Sequence, residues 1–164
     1  MWRGAKTATE RGMANAAFLR TRIEFINSFF ASGEVDEIWI TFPDPQLKKQ
    51  RVKKRLTSPQ FLGYYAKFLK LDGVVHLKTD SRHLHEYTKA VIERNALPLL
   101  ACGDDIYGTG MADTDLSIQT AYERKFREQG LPITYLRFML GGRSEFEAPD
   151  FEEDDNLDAS RLGE

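Results

Sequence analysis

The stretch T-F-P-D-P-Q-L-K-K-Q-R-V-K-K-R, residues 41–55, decides how the rest of the chain reads. A β-branched and aromatic run, Val35 to Phe42, leads into it and predicts a buried strand. Asp44 then sits between Pro43 and Pro45, whose rings restrict the backbone on both sides. Six of the eleven residues after Asp44 are Lys or Arg. The order is strand, stiff turn, carboxylate, basic slope. In open α/β sheets ligands bind outside the carboxyl ends of the strands, so this segment predicts both a site and an anionic substrate.

Working outward, strand and helix patterns alternate. Residues 1–12 read as helix, and Ala16 to Leu19 as a short apolar run. Ile23, Ile26, Phe29 and Phe30 have helical spacing, ended by Gly33. Thr57-Ser58-Pro59 is a helix start with a hydroxyl cap, and that helix is expected to reach Leu71. Gly73 to Thr79 is a strand. Asp80-Ser81 then opens a helix with Leu84, Tyr87, Val91 and Ile92 on one face. Leu97 to Ala101 is a short strand, and residues 102–115 form a loop rich in Gly and Asp. Ile118, Tyr122 and Phe126 mark a helix ended by Gly130, and Ile133 to Leu140 is a last strand. The class is α/β with a mostly parallel sheet. No glycine-rich nucleotide-binding turn precedes Val35. The G-T-G of residues 108–110 lacks a third glycine and a following helix.

Composition narrows the function. The 164 residues are 41% hydrophobic and 29% charged, ordinary values for one folded domain. No apolar run reaches the roughly 18 residues of a membrane span, and no apolar segment follows the first residues as in a leader peptide. A single cysteine, Cys102, fits a reducing cytoplasm. The net charge of −2 hides an asymmetry: residues 144–164 carry nine acids and one base, leaving 22 bases against 16 acids in residues 1–143. The expectation is a basic body, residues 1–143, and an acidic, disordered tail, residues 144–164.

Chemistry concentrates in few places. Asp44 and Asp80 lie at two strand mouths facing one crevice, although each also suits a turn or a helix cap. Glu123 begins the last helix, where an acid also suits the positive end of the helix dipole. Tyr122 belongs to the apolar stripe and reads as core. Lys48, Lys49, Arg51, Lys53, Lys54 and Arg55 have no acid among them from Asp44 to Lys67, so a phosphate backbone is the natural partner. His76, His83 and His85 lack a zinc spacing, so no metal is expected.

F-P-D-P with its following lysines, T-D at 79–80 opening a helix, and T-A-Y-E at 120–123 together resemble bacterial tRNA (guanine-N7-)-methyltransferases over residues 1–143. The resemblance implies a Rossmann-like fold with strand order 3-2-1-4-5-7-6. It implies S-adenosylmethionine as methyl donor, and methylation at N7 of the variable-loop guanine in tRNA. It implies Asp44 as the active-site residue beside the donor, and Lys48, Asp80, Thr120, Ala121, Tyr122 and Glu123 as substrate-binding. Lys49, Arg51, Lys53, Lys54 and Arg55 would hold tRNA phosphates. Arg22-Ile23 stands where the family has an Asp or Asn followed by Ala near the adenine, leaving Arg22 a cofactor contact. Gln46-Leu47 replaces the family's W-P. The family's glycine-rich turn and ribose-binding acid fall upstream of Met1, so the chain is expected to lack the first strands. It is also expected to bind the donor weakly, and to self-associate through an exposed sheet edge. Two other classes remain open on the residues: a non-catalytic RNA-binding fragment, and a metal-dependent phosphohydrolase using Asp44 and Asp80.

Overall fold

The computed structural model describes residues 2–152. Its elements in chain order are α1 (Trp2–Glu10), a 3-10 helix (Ile23–Ser28), β1 (Val35–Thr41) and a second 3-10 helix (Lys49–Lys54). Then come α2 (Pro59–Tyr65), β2 (Leu69–Thr79), α3 (Arg82–Arg94), β3 (Leu99–Gly103), α4 (Ala121–Glu128) and β4 (Thr134–Met139). The four strands form one sheet in the order β1-β2-β4-β3. This is the 4-5-7-6 ending of the strand order that the resemblance implies.

The sheet is mixed, which corrects the mostly parallel expectation. β1 and β2 are parallel, in a register that pairs Trp39 with His76 and Thr41 with Lys78. β4 runs antiparallel to both β2 and β3. Strand patterns along a chain do not encode direction, and β4 enters between β2 and β3 from the opposite end. Ala16 to Leu19 does not become a strand: residues 14–22 are irregular, and Phe18 and Leu19 are exposed. Among the described residues β1 has β2 as its sole neighbour in the sheet and is therefore an edge.

Alternation along the strands assigns the two faces. Ile40, Val75, Leu77, Leu136 and Phe138 face α2 and α3, where they meet Phe61, Leu62, Tyr65, Leu84, Tyr87 and Val91 in the main core. Leu136 is fully excluded from solvent, so truncating it to alanine costs about 2–5 kcal/mol. On the other face, Ile106, Leu116, Ile133 and Tyr135 form a smaller core under the 104–120 loop. β2 is buried on both faces from Val74 to Thr79, as a central strand should be.

α2 is shorter than its sequence pattern predicts. It ends at Tyr65 because the chain must turn to pair with β1: the Val35 amide donates to the Phe68 carbonyl at 3.0 Å. Pro59 takes the first helical turn, while the Ser58 hydroxyl donates to the Lys53 carbonyl rather than capping the helix. The expected tail also begins later than residue 144. Phe146 and Phe151 pack on the main core, and Phe151 meets the rings of His83 and Tyr87 edge-on. Asn95 clasps Glu147 by two backbone hydrogen bonds of 2.9 and 2.8 Å. Two aromatic rings within an acidic stretch supply the apolar area that pure charge would lack. The remainder of the expected tail, residues 153–164, lies outside the described residues.

Candidate functional site

β1 delivers the chain to a strained turn. Phe42 and Gln46 both have φ of 49°, a left-handed conformation that costs a non-glycine residue of order 1–3 kcal/mol and persists only when its surroundings over-determine it. Three features do so here. The Phe42 amide donates to the Lys78 carbonyl at 2.8 Å, which fixes the turn's entry to β2. The Gln46 amide donates to Asp44 Oδ1 at 2.9 Å, closing an Asx-turn. Arg55 holds the exit: its Nε donates to the Pro45 carbonyl and its Nη2 to the Gln46 carbonyl, both at 3.1 Å. The result is an exposed Asp44 carboxylate on a rigid loop at the strand mouth.

Arg55 therefore leaves the set of phosphate-binding residues. Its side chain is fully buried, with the guanidinium carbon 4.3 Å from the centre of the Tyr87 ring and Nη2 3.0 Å from His83 Nε2. A guanidinium enclosed by carbonyls and an aromatic face has no surface left for a phosphate. The other five basic residues, Lys48, Lys49, Arg51, Lys53 and Lys54, are exposed, four of them on the 3-10 helix.

Asp80 sits half-buried at the end of β2. Capping of α3 falls to Ser81, whose hydroxyl oxygen accepts from the Leu84 amide. The helix-cap alternative for Asp80 is thus taken by its neighbour.

The T-A-Y-E segment forms the start of α4. Thr120 and Glu123 make a reciprocal capping box. Glu123 is not the solvated acid that its position suggests: its side chain is fully buried, and Oε1 lies 2.7 Å from the Nζ of an almost equally buried Lys78. The same oxygen accepts from the Tyr107 hydroxyl at 2.7 Å, and Lys78 also donates to the Leu116 carbonyl at 2.7 Å. Burial first, then the bond to Glu123, push the Tyr107 phenol up to about 12. Glu123 thus spends its carboxylate on internal partners, which corrects its placement as a direct substrate contact. Tyr122 moves the other way. Expected in the core, it is 52% exposed and meets Phe42 edge-to-face at 5.8 Å. That contact brings the T-A-Y-E turn to the F-P-D-P turn.

Arg22 lies further out. It is exposed, 3.1 Å from Glu24, and precedes the 3-10 helix whose Ile23 and Ile26 line an apolar groove of about 440 Å³ beside β1 and Pro43. A second cleft of about 460 Å³ is lined by Glu37, Trp39, Thr41, Lys78, Asp115, Ile118 and Thr120. Its Trp39 stacks on the buried His76, with centroids 3.9 Å apart, and Tyr135 Oη lies 2.7 Å from His76 Nδ1. Among the described residues neither Asp44 nor Asp80 belongs to a cluster of three potential metal ligands, so the phosphohydrolase reading gains no support.

Sequence reasoning missed Lys78, Tyr107 and the inward role of Arg55. Lys78 did leave a signal: a cation inside the buried run V-V-H-L-K-T needs an anionic partner.

Comparison with known proteins bears on these motifs. A family model described as "Putative methyltransferase" matches residues 3–136. A tRNA (guanine-N(7)-)-methyltransferase of Porphyromonas gingivalis is 53% identical over 154 residues, covering 93% of this chain and 62% of that protein. The protein of the same name from Bacteroides thetaiotaomicron is 50% identical, over 93% of this chain and 60% of its own. That from Cytophaga hutchinsonii is 36% identical over 84% and 63%. The chain thus spans about three fifths of the length of the curated relatives it matches. With the family model running from α1 into β4, and 53% identity to one relative over 93% of this chain, the chain belongs to this methyltransferase family.

Proposed function

We propose that the protein forms the guanine-facing part of a tRNA (guanine-N7-)-methyltransferase, acting on the variable-loop guanine. The observation that carries this is the Phe42–Tyr122 contact. It brings the exposed Tyr122 ring to the turn that carries the exposed Asp44 carboxylate, and the basic 3-10 helix follows that turn in the chain.

Guanine N7 carries a lone pair and no proton, so the reaction requires no general base. Positioning is the main demand, together with stabilisation of the cationic base that forms. Asp44 opposes that charge from its rigid turn. Asp80 accepts from the guanine N1 and N2 edge, the Ala121 amide in the first turn of α4 donates to a substrate acceptor, and Tyr122 offers a ring on which a base can stack. Thr120 and Glu123 act indirectly, by holding the turn through the capping box. Lys48, Lys49, Arg51, Lys53 and Lys54 take phosphates, leaving base recognition to the strand mouths.

S-adenosylmethionine supplies an electrophilic methyl group when bound. The residues present fit it in part. Asp44 offers a carboxylate to a cationic ligand, and Ile23, Ile26 and Pro43 offer an apolar wall, with Arg22 at its margin. Among the described residues no glycine-rich turn joins a strand directly to a helix. Weak donor affinity is therefore expected of residues 1–164 alone, and tight binding by calorimetry would contradict it. The same observation favours one second reading, an RNA-binding unit that transfers nothing by itself. No helix among the described residues is long and apolar enough to cross a membrane, and a cytoplasmic site of action accompanies the proposal.

The test is labelled methyl transfer to tRNA, with 7-methylguanosine identified by nuclease digestion and mass spectrometry. Asp44→Ala is expected to abolish transfer while leaving tRNA affinity within about threefold, the spread of one weak surface contact. Transfer at the wild-type rate by that variant would overturn the assignment. Salt-dependent tRNA binding without transfer by the unaltered protein would select the second reading.

A further inference from the structure

The edge of the sheet opposite β1 carries a cluster that the methyltransferase site does not use. His85 on α3, Cys102 on β3 and Asp104 just after it converge there. His85 Nε2 is 3.2 Å from Asp104 Oδ1 and 3.9 Å from Cys102 Sγ. One ligand atom from each residue lies within 4.8 Å of the other two.

We propose that these three side chains form a binding site for a divalent cation of borderline softness, with zinc the best match to an N, S, O donor set. The spacing fits. Zinc bonds of about 2.0–2.3 Å at a tetrahedral angle set donor atoms roughly 3.3–3.6 Å apart, and the two separations from His85 Nε2, 3.2 and 3.9 Å, bracket that range. The chain places the donors for a simple reason. Cys102 and Asp104 are two residues apart at a strand end, so their side chains leave on the same side. α3 crosses that side with His85 one turn from its start.

His85 supplies the fixed member. Its ring is fully buried, and Nδ1 has no hydrogen-bond partner among the described residues. The ring's polar contacts therefore run through Nε2, toward the cluster. Cys102 and Asp104 are exposed, which leaves a side open for water to complete the coordination. Binding releases the Cys102 thiol proton to solvent, and the imidazole proton moves from Nε2 to Nδ1. Arg82, 3.5 Å from Asp104, and Lys89, which faces Cys102, are the local cations and lower the affinity. Occupied, the site would tie edge strand β3 to α3, independently of any methyl transfer.

Cobalt(II) titration tests the site directly. A thiolate-to-cobalt charge-transfer band can come only from Cys102, the single cysteine of the chain. The expected result is saturable, one-to-one binding with that band, reversed by zinc. Cys102→Ser should remove the band, and both Cys102→Ser and Asp104→Asn should weaken zinc binding by about tenfold or more. Both substitutions alter exposed side chains, so the variants remain folded for the comparison. Absence of the band, or equal zinc affinity in wild type and both variants, would overturn the proposal.

Discussion

Replacing Arg55 by methionine separates two roles that its place in a basic run confuses. In the structure the guanidinium makes two 3.1 Å hydrogen bonds to the carbonyls of Pro45 and Gln46 and lies on the Tyr87 ring. Charge-assisted bonds contribute about 1.5–3 kcal/mol each, and a desolvated cation–π contact up to about 2 kcal/mol. Against this stands relief of the cost of burying a charge, which is several kcal/mol. Methionine also keeps much of the apolar stem's packing. The net loss is therefore expected at about 2–3 kcal/mol, a fall in Tm of roughly 4–12 °C for a chain of this size. The assay is thermal unfolding by circular dichroism, run beside tRNA binding over a salt series. A phosphate-contacting arginine would behave in the opposite way: unchanged stability and a salt slope smaller by about one. Arg55→Met with a Tm within about 2 °C of wild type, less than one kcal/mol on that scale, and a reduced salt slope would refute the clamp. Lys53→Ala is the matched control, with the reduced salt slope and no change in Tm.

Glu123→Gln leaves the Lys78 ammonium buried without its anion and should cost about 3–5 kcal/mol in urea unfolding; a loss under about 1 kcal/mol would show the pair to be dispensable. Burial holds the His76 pKa below its ordinary 6.5, with Glu37 and Asp115 pulling it up and Arg137 down. The unfolded chain therefore takes up a proton near pH 6.5 that the folded chain refuses, so stability is complete above that pH and falls as pH drops through it. His76→Gln should flatten the loss between about pH 7 and 5.5, leaving the share owed to His85, which burial also depresses; an unchanged slope would remove His76 from the account. The open edge at β1 predicts concentration-dependent association in sedimentation runs, suppressed by Ile38→Lys; a monomer at all concentrations would contradict it.

Much of the site was legible because it is local. Two prolines around one acid announce a stiff turn, and the structure shows that turn with two left-handed residues. Ser81 sits where a helix start was expected and caps α3; the last helix starts later than its expected stripe, after Ile118, with Thr120 as its cap. What the sequence hid depends on partners distant along the chain. Glu123 looks like a solvated helix-start acid until β2 brings Lys78 under it, 45 residues away. Arg55 differs from Lys54 in no property of composition; only α3, bringing Tyr87 and His83 against it, turns it inward. α2 stops early because Val35 requires Phe68 as an acceptor. Strand direction was hidden for the same reason, since β4 is inserted between strands made before it.

That insertion also governs how the protein can be made. β4 is the last strand among the described residues and the one that β2 and β3 share. Until residues 134–139 leave the ribosome, β3 has no partner strand and β2 holds only β1 among the described residues. The nascent chain must carry the β1–β2 pair with an apolar face uncovered through the synthesis of the loop and α4. The sheet then closes in a single late event that joins segments far apart in sequence, a topology that folds slowly and exposes its strands to wrong partners. Ribosome stalling before Thr134 should leave a protease-sensitive chain, and a few tens of further residues should make it resistant at once.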